Sequence, residues 1–247
     1  MNVDPSYNSV GNFFGYKPIY QIPKYQRGYA WDKLELDDFL KDLDNCFQKR
    51  ISSTSINHFF GGIVSVKKAI PGAINQHSYE LVDGQQRMAT FVILVSCVLK
   101  IYKELLQAVT AARDTKNQKI IEGRIKDLTN RFIEFEQEIN RNTSMQEVLT
   151  LSKADKDFFK DLIAGGTPAA TRDSHNRIKN SYDAILGKVK VLINATSITD
   201  RLDRLETIKN VIDTDFSILH VVTDNKNEAY RLFQVLNDRG KSLTEGD

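Results

Sequence analysis

A strand that turns directly into a long apolar helix sets the plan of this chain. Ser78 to Val82 alternates and is β-prone, while Met88 to Leu106 carries apolar residues at helical spacing. Between them stands Val82-Asp83-Gly84-Gln85-Gln86-Arg87. A tight Asp-Gly turn there directs the free N–H groups of the helix's first turn into solvent, with Arg87 in the same turn. Oriented amides beside a cation form an anion site, and phosphate is the commonest anion met there. An Asp that merely caps the helix accounts for the Asp-Gly pair on its own. Gln85, Gln86 and Arg87 tip the balance toward a ligand, because a helix this apolar has little structural use for three long polar side chains at its start.

The rest of the composition narrows the field. The chain has 247 residues, enough for one large domain or two small ones, with 41% apolar and 27% charged residues, as in ordinary soluble globular proteins. Its formal net charge is +2, so any nucleic-acid surface must be local rather than global. Cys46 and Cys97 stand far apart and belong to no ligand-spaced cluster, which fits a reducing cytoplasmic compartment and argues against zinc. Met1 to Val10 lacks a basic stretch followed by an apolar core, so no secretory signal is expected. The most apolar run, Met88 to Leu99, contains Thr90 and Ser96. It is too short to span a bilayer and reads as a buried core helix.

Along the chain, Lys17 to Ile22 alternates as a short strand, and Asp32 caps a helix bearing Leu36, Phe39, Leu40 and Leu43 at spacings of three and four. After a polar loop (52–57), Phe59 to Val66 reads as a buried strand, joined through Pro71-Gly72 to the strand before Asp83. Residues 107–212 repeat helical spacing, with Ile121, Ile125, Leu128, Phe132 and Phe135 as one stripe. Phe216 to Val222 is a further strand, and Lys226 to Leu236 a further helix. The expected fold is α+β: a mixed sheet with helices over 1–106, a helical bundle over 107–212, and a strand and helix over 213–247 that return to the first part. Thr244 to Asp247 resembles the opening of another element, so the chain is expected to be the N-terminal piece of a longer protein.

Two other stretches carry chemistry. In an extended segment Tyr25, Arg27, Tyr29 and Trp31 point to one side, a surface suited to stacking a base and gripping a phosphate. The plainer reading packs Trp31 over the following helix and pairs Arg27 with an acid. Near the other end, Asn237 and Arg239 sit at a helix exit where Gly240 suits a left-handed cap. The four histidines, His58, His77, His175 and His220, show no metal-ligand spacing and support no Ser/His/Asp arrangement.

Together and in this order, these stretches resemble the N-terminal domain family of GmrSD- and SspE-type bacterial defence proteins. The matching residues are Ile22-Pro23, Tyr25-Gln26-Arg27, Tyr29 and Trp31; then Phe60-Gly61-Gly62; then Asp83 to Arg87 ahead of Thr90. Phe233 to Gly240, Leu243, Thr244 and Asp247 complete the match. Ala89 departs from it, standing where the family usually shows a threonine. The resemblance implies a ParB/sulfiredoxin-like fold and a nucleotide-hydrolysing, modified-DNA-sensing domain that gates an attached His-Asn-His-type nuclease. It implies a nucleoside triphosphate (GTP, ATP or CTP) as substrate, with DNA carrying a phosphorothioate or a modified base as partner. No membrane is implied, and a homo-oligomer is a further expectation. Carried over, Asp83, Gln85, Gln86 and Arg87 would be catalytic. Arg27, Gly84, Tyr25, Gln26, Asn237 and Arg239 would hold the nucleotide and its phosphates. Tyr29 and Trp31 would stack on a base, and Asp83 would hold magnesium. Two other readings stand beside this one: a DNA-recognition module that never turns over nucleotide, and a DNA-nicking domain, which clustered carboxylates in the sequence would be needed to support.

Overall fold

Two strands from opposite ends of the chain, and one helix between them, organise the molecule. The computed structural model describes residues 3–73 and 77–239, except for the side chains of residues 3 and 236–239. The elements are β1 (Val3–Ser9), α1 (Val10–Gly15), β2 (Ile19–Gln21), α2 (Lys33–Ile51), β3 (His58–Ala69), β4 (His77–Asp83) and α3 (Gln85–Ala111). They continue with α4 (Thr115–Phe132), β5 (Glu134–Ile139), β6 (Asn142–Glu147), β7 (Leu149–Thr150), α5 (Lys156–Ala164) and α6 (Asp173–Leu192). Last come α7 (Ile198–Asn210), a π-helical turn (Val211–Asp215), β8 (Phe216–Thr223) and α8 (Lys226–Arg239). The mixed α/β class expected from the sequence is the one that forms.

The main sheet has the order β1-β8-β3-β4-β2-β7. β8 returns from the end of the chain to lie parallel to β3, while β3 and β4 pair antiparallel. β2 is parallel to both β4 and β7. Pro5 is tolerated because β1 is an edge strand, antiparallel to β8 alone. The β3–β8 register shifts between Phe59 and Gly61, a bulge at which Gly61 takes φ +125°.

α3 is the core. Every residue from Met88 to Leu99 is buried, as expected of a helix apolar on all sides. Phe91 stacks on Phe14 and meets Phe60, Phe132 and Phe216 at ring separations of 5.9 to 6.1 Å. α4, α5, α6 and α7 wrap the remaining sides. Full burial of each Val, Leu, Ile or Phe contributes roughly 1.5–3 kcal/mol, so this helix anchors the fold. On the other face of the sheet, Val64, Val66 and Val82 pack beneath Ala229, Leu232 and Phe233 of α8. Among the described residues no helix is long and apolar enough to cross a membrane.

The middle of the chain is largely helical, as expected, but three short strands interrupt the bundle. Phe135 continues the stripe of Ile121, Ile125, Leu128 and Phe132 in sequence, yet α4 ends at Phe132 and Phe135 lies on β5. Asn140 and Arg141 both take positive φ, +51° and +64°, the geometry of a two-residue hairpin turn. β5 and β6 pair across it, and β7 then joins the edge of the main sheet.

Two glycines, one crowded and one open, yield contrasting predictions. A Cβ on Gly11 would stand 2.4 Å from the Asp213 carbonyl oxygen of the π-helical turn, whereas a Cβ on Gly123, inside α4, would meet nothing within 4 Å. Gly11→Ala should therefore lower stability by about 1–3 kcal/mol through overpacking. Gly123→Ala should raise it by about 0.5–1 kcal/mol through helix propensity. Urea unfolding of both variants measures the contrast. Separately, burial pushes the His220 imidazole down to about 4 from 6.5, and its Nε2 lies 2.7 Å from Ser65 Oγ. The unfolded chain thus binds this proton at a higher pH than the folded one. The stability involved is fully present above pH 6.5 and is lost as pH falls toward 4, a change of about 3 kcal/mol. His220→Gln should flatten that part of the acid limb of a stability-against-pH curve.

Candidate functional site

β4 hands over to α3 through one residue. Gly84 is the N-cap at φ +90°, and no side chain caps the helix. A Cβ at Gly84 would come within 2.9 Å of Ile63 Cγ1 and 3.1 Å of the Gly62 carbonyl oxygen, so conformation and space both demand glycine. Asp83 therefore does not cap α3. It stands one residue outside the helix, with a carboxylate oxygen 3.6 Å from Arg87 Nη2. The first-turn amides keep no side-chain acceptor, as the anion reading needs. They do not open into free solvent, however, since Gly84 and Gln85 are buried and Asp83, Gln86 and Arg87 half-buried.

The three polar residues that open α3 diverge. Arg87 turns to the β3 bulge, where Nη2 donates to the Gly62 carbonyl at 3.0 Å. Its Nε is buried without a hydrogen-bond partner. A Cβ on Gly61 would lie 2.8 Å from that Nε, so the bulged glycine makes the seat for the guanidinium. Gln86 turns to the 22–31 segment, where its Oε1 accepts from the Ala30 N–H at 2.8 Å and its Nε2 donates to the Gly28 carbonyl at 3.3 Å. Gln85 turns inward. It is only 9% exposed, and its Oε1 is buried with no partner.

The 22–31 segment is stitched against this helix start. Gln26 Nε2 donates to the Val82 carbonyl at 3.0 Å. The Tyr25 hydroxyl donates to Glu80 at 3.0 Å. The segment turns at residues 24–26 instead of running extended, so its aromatic residues do not share one face as the sequence pattern predicted. Tyr29 is 5% exposed, its hydroxyl 2.7 Å from Thr90 Oγ1 and 3.0 Å from Ser181 Oγ. Its ring belongs to the core and offers no free face to a base. Trp31 is half-buried and packs on Phe39 of α2, ring centroids 6.2 Å apart, which is the plainer of its two readings. Arg27 is exposed and forms no ion pair with a described residue, contrary to its plainer reading. The side chains of Asn237 and Arg239 lie outside the described residues.

Asp155 is the participant that the sequence did not disclose. It is 1% exposed and accepts hydrogen bonds from the Tyr29 N–H at 2.9 Å and from the Ser174 hydroxyl. A Cβ on Gly28 would stand 2.8 Å from its Oδ2, which explains a glycine between Arg27 and Tyr29. With Arg27, Gln85, Gln86 and Ser152 it lines a narrow cleft of about 10 Å³. No motif surrounds Asp155 in the sequence, and only the tertiary approach of α5 brings it here. Among the described residues, no three His, Cys, Asp or Glu side chains gather as a metal cluster.

Motifs some sixty residues apart thus meet at one helix mouth, and the family comparison covers both. The family model for the GmrSD restriction endonuclease, N-terminal domain, matches residues 10–247. The chain belongs to that family. No curated protein matches it significantly. The role of this GmrSD N-terminal domain accordingly lies in a restriction system, which makes DNA the macromolecule concerned.

Two substitutions test how the GmrSD site is held. Gln86→Ala strands the Ala30 N–H and the Gly28 carbonyl, and should cost about 1–3 kcal/mol in urea unfolding. Gly61→Ala combines a strained φ with a clash against Arg87, and should cost a similar ~1–3 kcal/mol. In Gly61→Ala, hydrogen exchange at Gly62 and Arg87 should rise more than exchange in the centre of α3.

Proposed function

We propose that this domain binds a nucleoside triphosphate at the mouth of α3, hydrolyses it in response to DNA, and gates a nuclease domain that acts with it. The observation that carries the reading is the uncapped, glycine-opened α3 N-terminus with Arg87 seated beside it and the partnerless Gln85 oxygen behind it. Free amides and a guanidinium neutralise phosphate oxygens. The adjoining cleft, about 10 Å³, has room for about one water and not for a phosphate, so the nucleotide would lie on the open surface of the helix mouth. Its sugar and base would lie outward toward Arg27.

Asp83 and Arg87 form an ion pair, 3.6 Å apart. A phosphate that engages Arg87 releases the Asp83 carboxylate. One carboxylate with phosphate oxygens and water is the usual way magnesium is held, so Asp83 would hold that ion, which offsets phosphate charge when bound. Gln85 Oε1 would accept a hydrogen bond from the attacking water. That water's oxygen would bond to the terminal phosphorus as the bond to the bridging oxygen breaks; its proton would pass to an oxygen of the inorganic phosphate formed, and the nucleoside diphosphate would leave. Gln86 has both amide atoms committed to the 22–31 segment, so its part is to hold that segment, and the choice between Gln85 and Gln86 falls on Gln85.

The test is phosphate release from GTP, ATP and CTP with magnesium, with and without plain and modified DNA. Turnover that DNA alters and Arg87→Ala abolishes supports the reading. Asp83→Ala should retain nucleotide binding while losing at least ~100-fold in turnover. Absence of turnover with every nucleotide, alongside intact DNA binding, would make the domain a recognition module.

A further inference from the structure

A second surface, beside the helix mouth, carries unpaired positive charge. One hollow is lined by Lys24, Lys153 and Arg172, together with Gln26 and Gly28. Its neighbour is lined by Lys24, Tyr25, Lys153, Lys156 and Lys226. Because they share Lys24 and Lys153, the two hollows form one continuous groove. It runs from Arg172, at the start of α6, to Lys226, at the start of α8. Glu80 is the single acid on its lining, and that charge is already spent. Glu80 Oε1 lies 2.7 Å from Lys226 Nζ, Lys68 holds the other oxygen, and the Tyr25 hydroxyl donates as well. Burial opposes ionisation of Glu80, but these three hydrogen bonds outweigh it and keep the carboxyl below its usual range.

Lys24, Lys153, Lys156 and Arg172 are all exposed, and none forms an ion pair with a described residue. Tyr25 is 56% exposed, with Lys226 Nζ 5.8 Å from its ring centroid and Tyr230 6.3 Å away. Its hydroxyl bond to Glu80 fixes the ring within the groove. Spaced cations around a tethered aromatic face are the arrangement that follows a nucleic-acid strand, with backbone phosphates on the cations and a base or sugar on the ring. A net charge of only +2 for the whole chain makes this local excess a feature of the groove and not of the protein's surface at large.

We infer that the Arg172–Lys153–Lys24–Tyr25–Lys226 groove is a binding track for the sugar–phosphate backbone of DNA, separate from the α3 mouth. The inference rests on the reading that the domain senses DNA, and it fixes which surface does so. The test is fluorescence anisotropy of the whole chain with labelled 20-mers, single- and double-stranded, across a salt series. Lys153→Gln/Lys156→Gln/Arg172→Gln should weaken binding at least ~10-fold and flatten the salt slope by roughly two to three. Lys116→Gln/Lys119→Gln/Lys126→Gln, which removes the same charge from exposed positions of α4, should change affinity less than ~2-fold, as removal of distant charge does. Tyr25→Ala should weaken single-strand binding and Tyr25→Phe much less. Equal losses in the two triple variants, or unchanged affinity in the groove triple, would overturn the track. Binding of poly-glutamate with no binding of DNA would assign the groove to an acidic protein segment and overturn it too. Phosphate release keeps this failure distinct from failure of the hydrolysis reading. The groove triple should keep its DNA-independent turnover and lose only the response to DNA.

Discussion

Burial of α3 on every side is the constraint from which the rest of the structure follows. A helix whose residues from Met88 to Leu99 are all buried cannot slide or rotate without opening voids across the core. It must also begin where β4 stops, and Ile63 leaves room at that junction only for Gly84. The first turn of α3 is therefore fixed in position by packing, together with the hydrogen bonds of Gln86 and Arg87. That rigidity holds the amides of the first turn and Arg87 in fixed positions, the preorganisation that the proposed phosphate site would need.

Successive helical residues are displaced by about 100° around the axis, and this explains three long polar residues in a row. Gln85 meets the interior, Gln86 the 22–31 segment and Arg87 the β3 bulge. No single face of α3 could serve all three. Each receiving partner is in turn shaped by a glycine or an open backbone group. Gly61 makes room for Arg87, and Gly28 makes room for Asp155 while its carbonyl takes the Gln86 amide. The glycines of the 22–31 and 60–62 stretches are thus negative space around particular side chains.

Much of this was legible in the sequence because it is local. The strand–turn–helix at 78–106, the Asp32 cap completed by Glu35, and the strand and helix after residue 215 all follow from periodicity and capping chemistry. What was misread involves competing local signals or distant partners. Glu134 to Ile139 alternates as a strand should, but Phe135 also falls three residues after Phe132 and so extends the helical stripe. Alternation along the chain points Tyr29 to the surface, but the turn at 24–26 inverts its direction. Asp155 left no trace because its partners, Tyr29 and Ser174, are 126 and 19 residues away.

The same geometry bears on how the basic groove and the α3 mouth would communicate. Ile22 and Leu151 line both the cleft beside Gln85 and the groove around Tyr25, and Ser152 lines both the cleft and the Arg172 end. The two surfaces therefore share a wall made of segments 22–28 and 150–155. That wall is tied to the helix mouth by Gln26 on the Val82 carbonyl and by Gln86 on Gly28 and Ala30. A strand drawn onto Lys24 and Lys153 loads the segment that Gln86 grips, one residue from Arg87. Coupling between sites requires a ligand to bind two arrangements of a shared element unequally. The polar, hydrogen-bonded wall is the element that would serve, since the apolar helix behind it is tightly packed.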